Sequence, residues 1–176
     1  MLQASRKWNW IACAKSNTLL LDMGNEMIFC TPYKIRNLTN DVLDNPAFSL
    51  TDANFYEQVS SYLDSFSIWN EAQICQMALN ATAVKHYLKP MLTKSWFFEL
   101  YQGNEPSVDA IIQLKSKKQM GQFLIVDHTN EGSVCICLEK CYSLDDNFEL
   151  KQFEVIKVLN DRIYPLIIKS ELQKRA

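Results

Sequence analysis

Glycine is scarce in this sequence: Gly24, Gly103, Gly121 and Gly132 are the only four, each isolated. Without clustered glycines no loop can wrap its backbone amides around a phosphate, which excludes the P-loop and Rossmann nucleotide folds. Histidine is scarcer, with only His86 and His128 available for a Ser–His or Cys–His nucleophilic pair. His86 falls one turn after Thr82 on an expected helix and reads as a half-exposed surface residue. His128 follows a strand in a turn, beside Asp127. Neither has a nucleophile motif near it. Paired acids such as Asp145-Asp146 sit in a polar loop and read as a solvated turn, although carboxylates alone do not exclude a hydrolase.

Long apolar runs are also missing. The longest, around Phe123 to Val126 and Val134 to Leu138, are strand-sized and fall short of the roughly 20 residues a membrane helix needs. Met1 to Lys7 has neither an apolar signal core nor a small-residue cleavage site, so a cytosolic chain without membrane insertion is expected. No excess of positive charge exists: the net charge is −2 over 176 residues. Neither nucleic acid nor an anionic membrane is therefore a default partner. The mildly basic end, Lys169 to Arg175, reads as a frayed helical tail. The six cysteines, at 13, 30, 75, 135, 137 and 141, form no CxxC pair. Cys135, Cys137 and Cys141 lie near His128, but Cys135 and Cys137 share one face of an apolar strand. A buried core is expected there, with no metal and no cofactor.

What is present is core material, at 48% hydrophobic content. Trp8 to Ala14, Thr18 to Asp22 and Met27 to Cys30 read as short strands, with Gly24-Asn25 as a tight hairpin turn. Thr31-Pro32 resembles a short helix start, with an irregular stretch following through Pro46. Two helices come next. From Thr51, residues Phe55, Tyr56, Val59, Tyr62, Leu63 and Phe66 recur at helical spacing. The second begins at Asn70, with Gln73 placed for a capping box, carries Ile74, Met77, Ala78, Ala81, Val84 and Leu88 inward, and stops at Pro90.

Strand-like runs follow: Ser95 to Tyr101, Ala110 to Leu114, Gln122 to Asp127 and Ser133 to Glu139. Polar breaks separate them, among them Gly103-Asn104-Glu105-Pro106 and Asn130-Glu131-Gly132. From Phe148 to Ile168 two readings stand, a strand–turn–strand around Asn160-Asp161 or a helix on Phe153, Ile156, Leu159 and Ile163. The expected fold is α+β: an N-terminal α/β lobe over 1–93, with short hairpin strands and two main helices, and a C-terminal twisted β-barrel-like lobe over 94–176.

The segment from Asn80 to Phe97, NATAVKHYLKPMLTKSWF, is distinctive. With Trp8-Asn9-Trp10, the Leu21-Asp22-Met23…Met27-Ile28-Phe29 hairpin and Val158-Leu159-Asn160-Asp161-Arg162, it resembles the ZapC family of bacterial cell-division proteins. The resemblance covers nearly the whole chain and is weakest between Tyr101 and Lys118. It implies an α/β N-terminal domain, a β-barrel-like C-terminal domain and no cofactor. It further implies binding to FtsZ, an acidic protein, with lateral bundling of FtsZ filaments, restraint of FtsZ's GTPase and residence at the midcell division ring.

Lys89 and Lys94 flank the proline-stiffened connection at the end of the α/β lobe and are candidate partner contacts. For Lys89 the competing reading is complementation of the helix macrodipole. Leu21 is a weaker candidate, since a strand leucine is more often core. In the second lobe Lys157 and Arg162 lie on either side of a turn, facing either an acidic surface or only solvent. The expected function is a non-enzymatic FtsZ-binding and bundling factor acting as a monomer. The rival is a small hydrolase or ligand-binding enzyme with a pocket between the lobes.

Overall fold

Short apolar runs from Asn9 onward build an antiparallel meander in the computed structural model, which describes residues 2–103 and 110–166. β1 (Asn9–Cys13), β2 (Thr18–Asp22) and β3 (Ile28–Lys34) lie in that order. Trp10 pairs in register with Leu21, and Ala12 with Leu19, so Trp10, Leu19 and Leu21 share the inward face and are fully buried. The β2–β3 turn is broader than a two-residue turn. Gly24, Asn25 and Glu26 all have positive φ, and the Met23 amide closes the loop onto the Met27 carbonyl at 2.9 Å.

Thr31-Pro32 does not start a helix. Both residues belong to β3, where the register slips between Thr18 and Leu20 of β2. A bulge on an edge strand tolerates proline, because its missing N–H leaves no ladder bond unmade. The Thr31 hydroxyl donates to the Leu19 carbonyl at 2.7 Å instead of capping. Only the short 3-10 turns Ile35–Asn37 and Asn40–Asp44 follow.

α1 (Leu50–Asp64) and α2 (Glu71–Tyr87) both begin with a complete capping box. In α2 it is the Asn70/Gln73 pair expected from the sequence; in α1 it is Ser49/Asp52. α2 is buried continuously from Met77 to Val84, a wider face than one apolar stripe provides. Small side chains (Ala78, Ala81, Thr82 and Ala83) let neighbours approach it on all sides. An aromatic cluster fills the space beside it: Trp10 lies 5.6 Å from both Phe48 and Tyr87, and Trp8 lies 5.3 Å from Phe48.

The chain divides after Pro90, giving units of residues Met1–Pro90 and Met91–Ala176. In the second, Ser95 to Phe97 form a 3-10 turn rather than the expected strand, and only Phe98 makes a bridge, to Ser116. β4 (Ile111–Lys115), β5 (Met120–Thr129), β6 (Gly132–Cys137) and β9 (Val155–Val158) form one antiparallel sheet in the order β4-β5-β6-β9. β7 (Cys141–Ser143) pairs with β8 (Glu149–Lys151). The strand reading after Phe148 therefore holds over the helical one. Phe153, at φ 70°, breaks any helix there, and Asn160–Arg162 forms a 3-10 turn.

Tyr164 then bridges Gln113 on β4, the opposite edge from β9, but among the described residues no closed barrel results. Tyr142, Phe123, Phe98, Cys135 and Cys137 lie in this unit's core. Gly121 makes room for it: a Cβ there would sit 2.6 Å from the Tyr142 ring. The tail Lys169 to Arg175, Ile168, and Asn104 to Pro106 of one polar break lie outside the described residues.

Candidate functional site

Ser95 organises the basic surface of the second unit. It is buried, and its hydroxyl accepts the Leu159 amide at 2.8 Å while its carbonyl accepts Arg162 Nε at 3.3 Å. One residue earlier, the Lys94 amide donates to the Lys157 carbonyl at 2.8 Å. The 94–97 turn is thus sewn to the end of β9 and to the turn after it. Three of the expected cations, Lys94, Lys157 and Arg162, are brought together this way. By its hydrogen bonding Lys94 belongs with these second-unit residues, apart from Lys89, with which the sequence reading grouped it across the proline-stiffened connection.

The three cations are not equivalent. Lys94 is exposed and Lys157 half-buried, and among the described residues neither ammonium meets a carboxylate. Arg162 is 19% exposed, with Nη1 2.6 Å from Asp161 Oδ1. Its charge is largely answered within the unit, so it braces the surface more than it offers a free cation. Next to these residues in sequence stand large exposed apolar side chains, Leu92 and Trp96.

In the first unit Lys89 Nζ donates to the Arg36 carbonyl at 3.0 Å, and its amide donates to the Asn37 carbonyl at 2.9 Å. The ammonium therefore caps the carbonyl end of the 35–37 turn. Lys34, Arg36 and Lys89 are all exposed. Leu21 has no exposed surface, so its side chain is a core element of β2 and has no face to offer a partner in the folded unit.

The histidines are both held in structural networks. His86 Nδ1 lies 2.8 Å from Asp52 Oδ1, at ion-pair distance though not in hydrogen-bond alignment. Asp52 is 1% exposed, and its Oδ2 accepts the Trp10 indole N–H at 3.0 Å and the Ser49 amide at 2.9 Å. His128 lies within β5 rather than in a turn, its Nδ1 2.7 Å from Ser133 Oγ. Ser133 is fully buried and its hydroxyl donates to Asn160 Oδ1 at 2.7 Å, so that pair ties the β5–β6 hairpin to the following turn instead of presenting a nucleophile. Burial pushes the Cys135 and Cys137 thiols up to about 12, the opposite of what a reactive thiolate needs. No cluster of three or more metal-ligating side chains occurs among the described residues.

Two family descriptions match adjoining stretches of this chain: "Cell-division protein ZapC, N-terminal" over residues 1–89 and "Cell-division protein ZapC, C-terminal" over 90–169. The chain is 59% identical over 167 residues to Cell division protein ZapC of Pseudoalteromonas translucida, covering 95% of each chain. It is 35% identical to the protein of that name from Shewanella woodyi, over 94% of this chain and 92% of the relative. The Aliivibrio salmonicida protein of that name is 34% identical over 93% and 92%. The chain belongs to the ZapC family.

ZapC is a family of cell-division proteins, and its descriptions name no enzymatic activity. In this ZapC-family chain no described helix is long and apolar enough to cross a membrane. The sequence reading missed Ser95 and Trp96 as parts of the basic surface. The signal lay in Lys94-Ser95-Trp96 itself, where a large aromatic stands beside a cation at the start of a run with strand composition. It also missed Asp52, whose Ser49-x-x-Asp52 spacing is a capping box with aspartate in place of glutamate.

Proposed function

We propose that this protein binds FtsZ through its basic surfaces and promotes lateral bundling of FtsZ filaments at the midcell division ring, without catalysis. The observation that carries the reading is the backbone bond between Lys94 and Lys157, which brings two lysine backbones together, neither ammonium having a carboxylate partner among the described residues. Such a pair is suited to an acidic protein surface, because its charges are unanswered and its backbone is already fixed, leaving only the lysine side chains to be ordered on contact. Family membership supports a role in division, and the acidity of FtsZ supplies the complementary charge.

Bundling needs two attachments. Lys89, with exposed Lys34 and Arg36, offers one on the first unit; Lys94 and Lys157, braced by Arg162, offer another on the second. A monomer with two weak surfaces gains avidity along a polymer, since the second contact is effectively intramolecular. Co-sedimentation with polymerised FtsZ at low and high salt tests this. Pelleting that weakens with salt is expected; absence of pelleting at low salt refutes the FtsZ reading.

A further inference from the structure

The Ser133 hydroxyl stands in the middle of a hydrogen-bond chain whose direction is fixed from one end. Asn160 Nδ2 donates to the Thr129 carbonyl at 2.7 Å. A carbonyl only accepts, so turning the amide over would face two acceptors, and Oδ1 is left on the Ser133 side. Oδ1 also only accepts, so the single Ser133 hydroxyl proton goes to it, at 2.7 Å. Ser133 Oγ then has only lone pairs left for the imidazole nitrogen 2.7 Å away. His128 Nδ1 must therefore be the donor.

The backbone around the chain is equally constrained. His128 pairs with Ser133 and Thr129 with Gly132 across the β5–β6 hairpin, and Ser133 pairs with Val158 of β9. Gly132, at φ 142°, lies so close to β9 that a Cβ there would be 2.6 Å from the Val158 carbonyl oxygen. Ser133 is fully buried, where an unmatched hydroxyl has no solvent to turn to. Asn160 opens the turn that follows β9, and that turn is a junction. The Asp161 carbonyl accepts the Tyr101 amide at 2.9 Å, and the Leu159 amide is held by Ser95.

We propose that His128 is a positioning residue locked with its proton on Nδ1, against the Nε2–H form that a free neutral histidine favours in water. That proton starts a one-way relay through Ser133 to Asn160, latching the 160–162 turn to the β5–β6 hairpin. The charged ring and one neutral tautomer both carry a proton on Nδ1, so both close the latch. Only the Nε2–H tautomer opens it, because Ser133 must then donate to Nδ1 and abandon Asn160 Oδ1. The latch acts within the second unit and needs no partner.

The test is a side-chain proton–nitrogen correlation spectrum of the 15N-labelled full chain at about pH 8.5, above the ordinary histidine range, with His128→Gln identifying the His128 signals. In the wild type Nδ1 is expected to be protonated and Nε2 bare. Asn160→Ala removes a side chain one hydroxyl away from the ring and frees the Ser133 proton. It should therefore move His128 to the Nε2–H form and speed exchange of the Leu159 amide about threefold to tenfold. Asn160→Asp keeps an acceptor facing Ser133 and should retain the Nδ1 proton, a rescue that mere packing of the amide would not produce. A wild-type His128 found with Nδ1 bare overturns the lock. A folded Asn160→Ala protein that keeps the Nδ1 proton overturns the relay. Should Asn160→Ala fail to fold, Ser133→Ala decides in its place: it is expected to release the ring to the Nε2–H form, and an Nδ1 proton retained there overturns the proposal.

Discussion

The indole N–H of Trp10 reaches Asp52 Oδ2 at 3.0 Å, joining β1 to the first turn of α1 inside the first unit's core. The same oxygen accepts the Ser49 amide, while Oδ1 faces His86 at the end of α2. One carboxylate thus serves a strand and two helices. Asp52→Ala removes the reciprocal half of the capping box and leaves a buried indole donor without a partner. It should cost about 2–4 kcal/mol of unfolding free energy, read from urea titrations. A loss below about 0.5 kcal/mol, the size of an ordinary surface substitution, would show that water or rearrangement satisfies these donors.

The elements set by local chemistry were legible in the sequence. Asn70 and Gln73 announce α2, Pro90 follows soon after its end at Tyr87, and the Thr18–Asp22 run and the 133–137 part of the Ser133 to Glu139 run are strands by their apolar and β-branched content. Elements decided by tertiary context were not. Pro32 looks like a helix-starting residue until β2 provides an edge and a bulge for it. Ser95 to Tyr101 has strand composition, yet the hydrogen bonds offered by Lys157, Leu159 and Arg162 turn it. The same long-range bonds assemble the candidate surface, so its members were nameable singly but not as a group.

Leu21 illustrates the distinction between a residue that matters and one that makes contact. It is fully buried opposite Trp10 in the β1–β2 register. Leu21→Ala should cost about 2–5 kcal/mol through lost burial and the cavity left behind. Any weakening of FtsZ association in that variant should then follow its unfolded fraction. Restoring the fold by lowering the temperature to about 10–20 °C, where domains of this kind approach maximum stability, should restore binding. Lost binding in a demonstrably folded Leu21→Ala protein would return Leu21 to the interface.

Stability should fall on the alkaline side. Burial raises the Cys135 and Cys137 thiols from 9.0 to about 12, and burial first, then the Asp52 carboxylate, raises the Tyr87 phenol from 10.0 to about 12. A raised folded value means that the unfolded chain gives up its proton first. The contribution is complete below the unfolded value and is lost as pH climbs from about 9 to about 12. Urea midpoints should be flat from pH 7 to about 8.5 and then decline, less steeply in Cys135→Ala measured against its own neutral-pH value. An unaltered slope in both Cys135→Ala and Cys137→Ala would assign the alkaline loss elsewhere. In native protein, exposed Cys30 and Cys141 should be alkylated well before Cys135 and Cys137.

Charge reversal separates the two surfaces. Lys94→Asp with Lys157→Asp changes side chains whose backbones carry the 94–157 hydrogen bond, so the turn can survive while its field inverts. Arg162 is unsuited to the same experiment, because replacing it also breaks its bonds to Ser95 and Asp161. Lys89→Asp removes the ammonium from the Arg36 carbonyl and places a carboxylate beside it. That change combines loss of a partner cation with loss of an exposed contact whose own stabilisation is small, about 0.5–1.5 kcal/mol. If each unit carries one FtsZ-contacting surface, either reversal alone should leave measurable association with single filaments and sharply reduce light scattering from bundles. The combination of all three should remove both. Circular dichroism must show an intact fold in each case. Bundling that persists after either single-surface reversal, together with a stable dimer in the ultracentrifuge, would replace the monomeric two-surface arrangement with crosslinking by self-association.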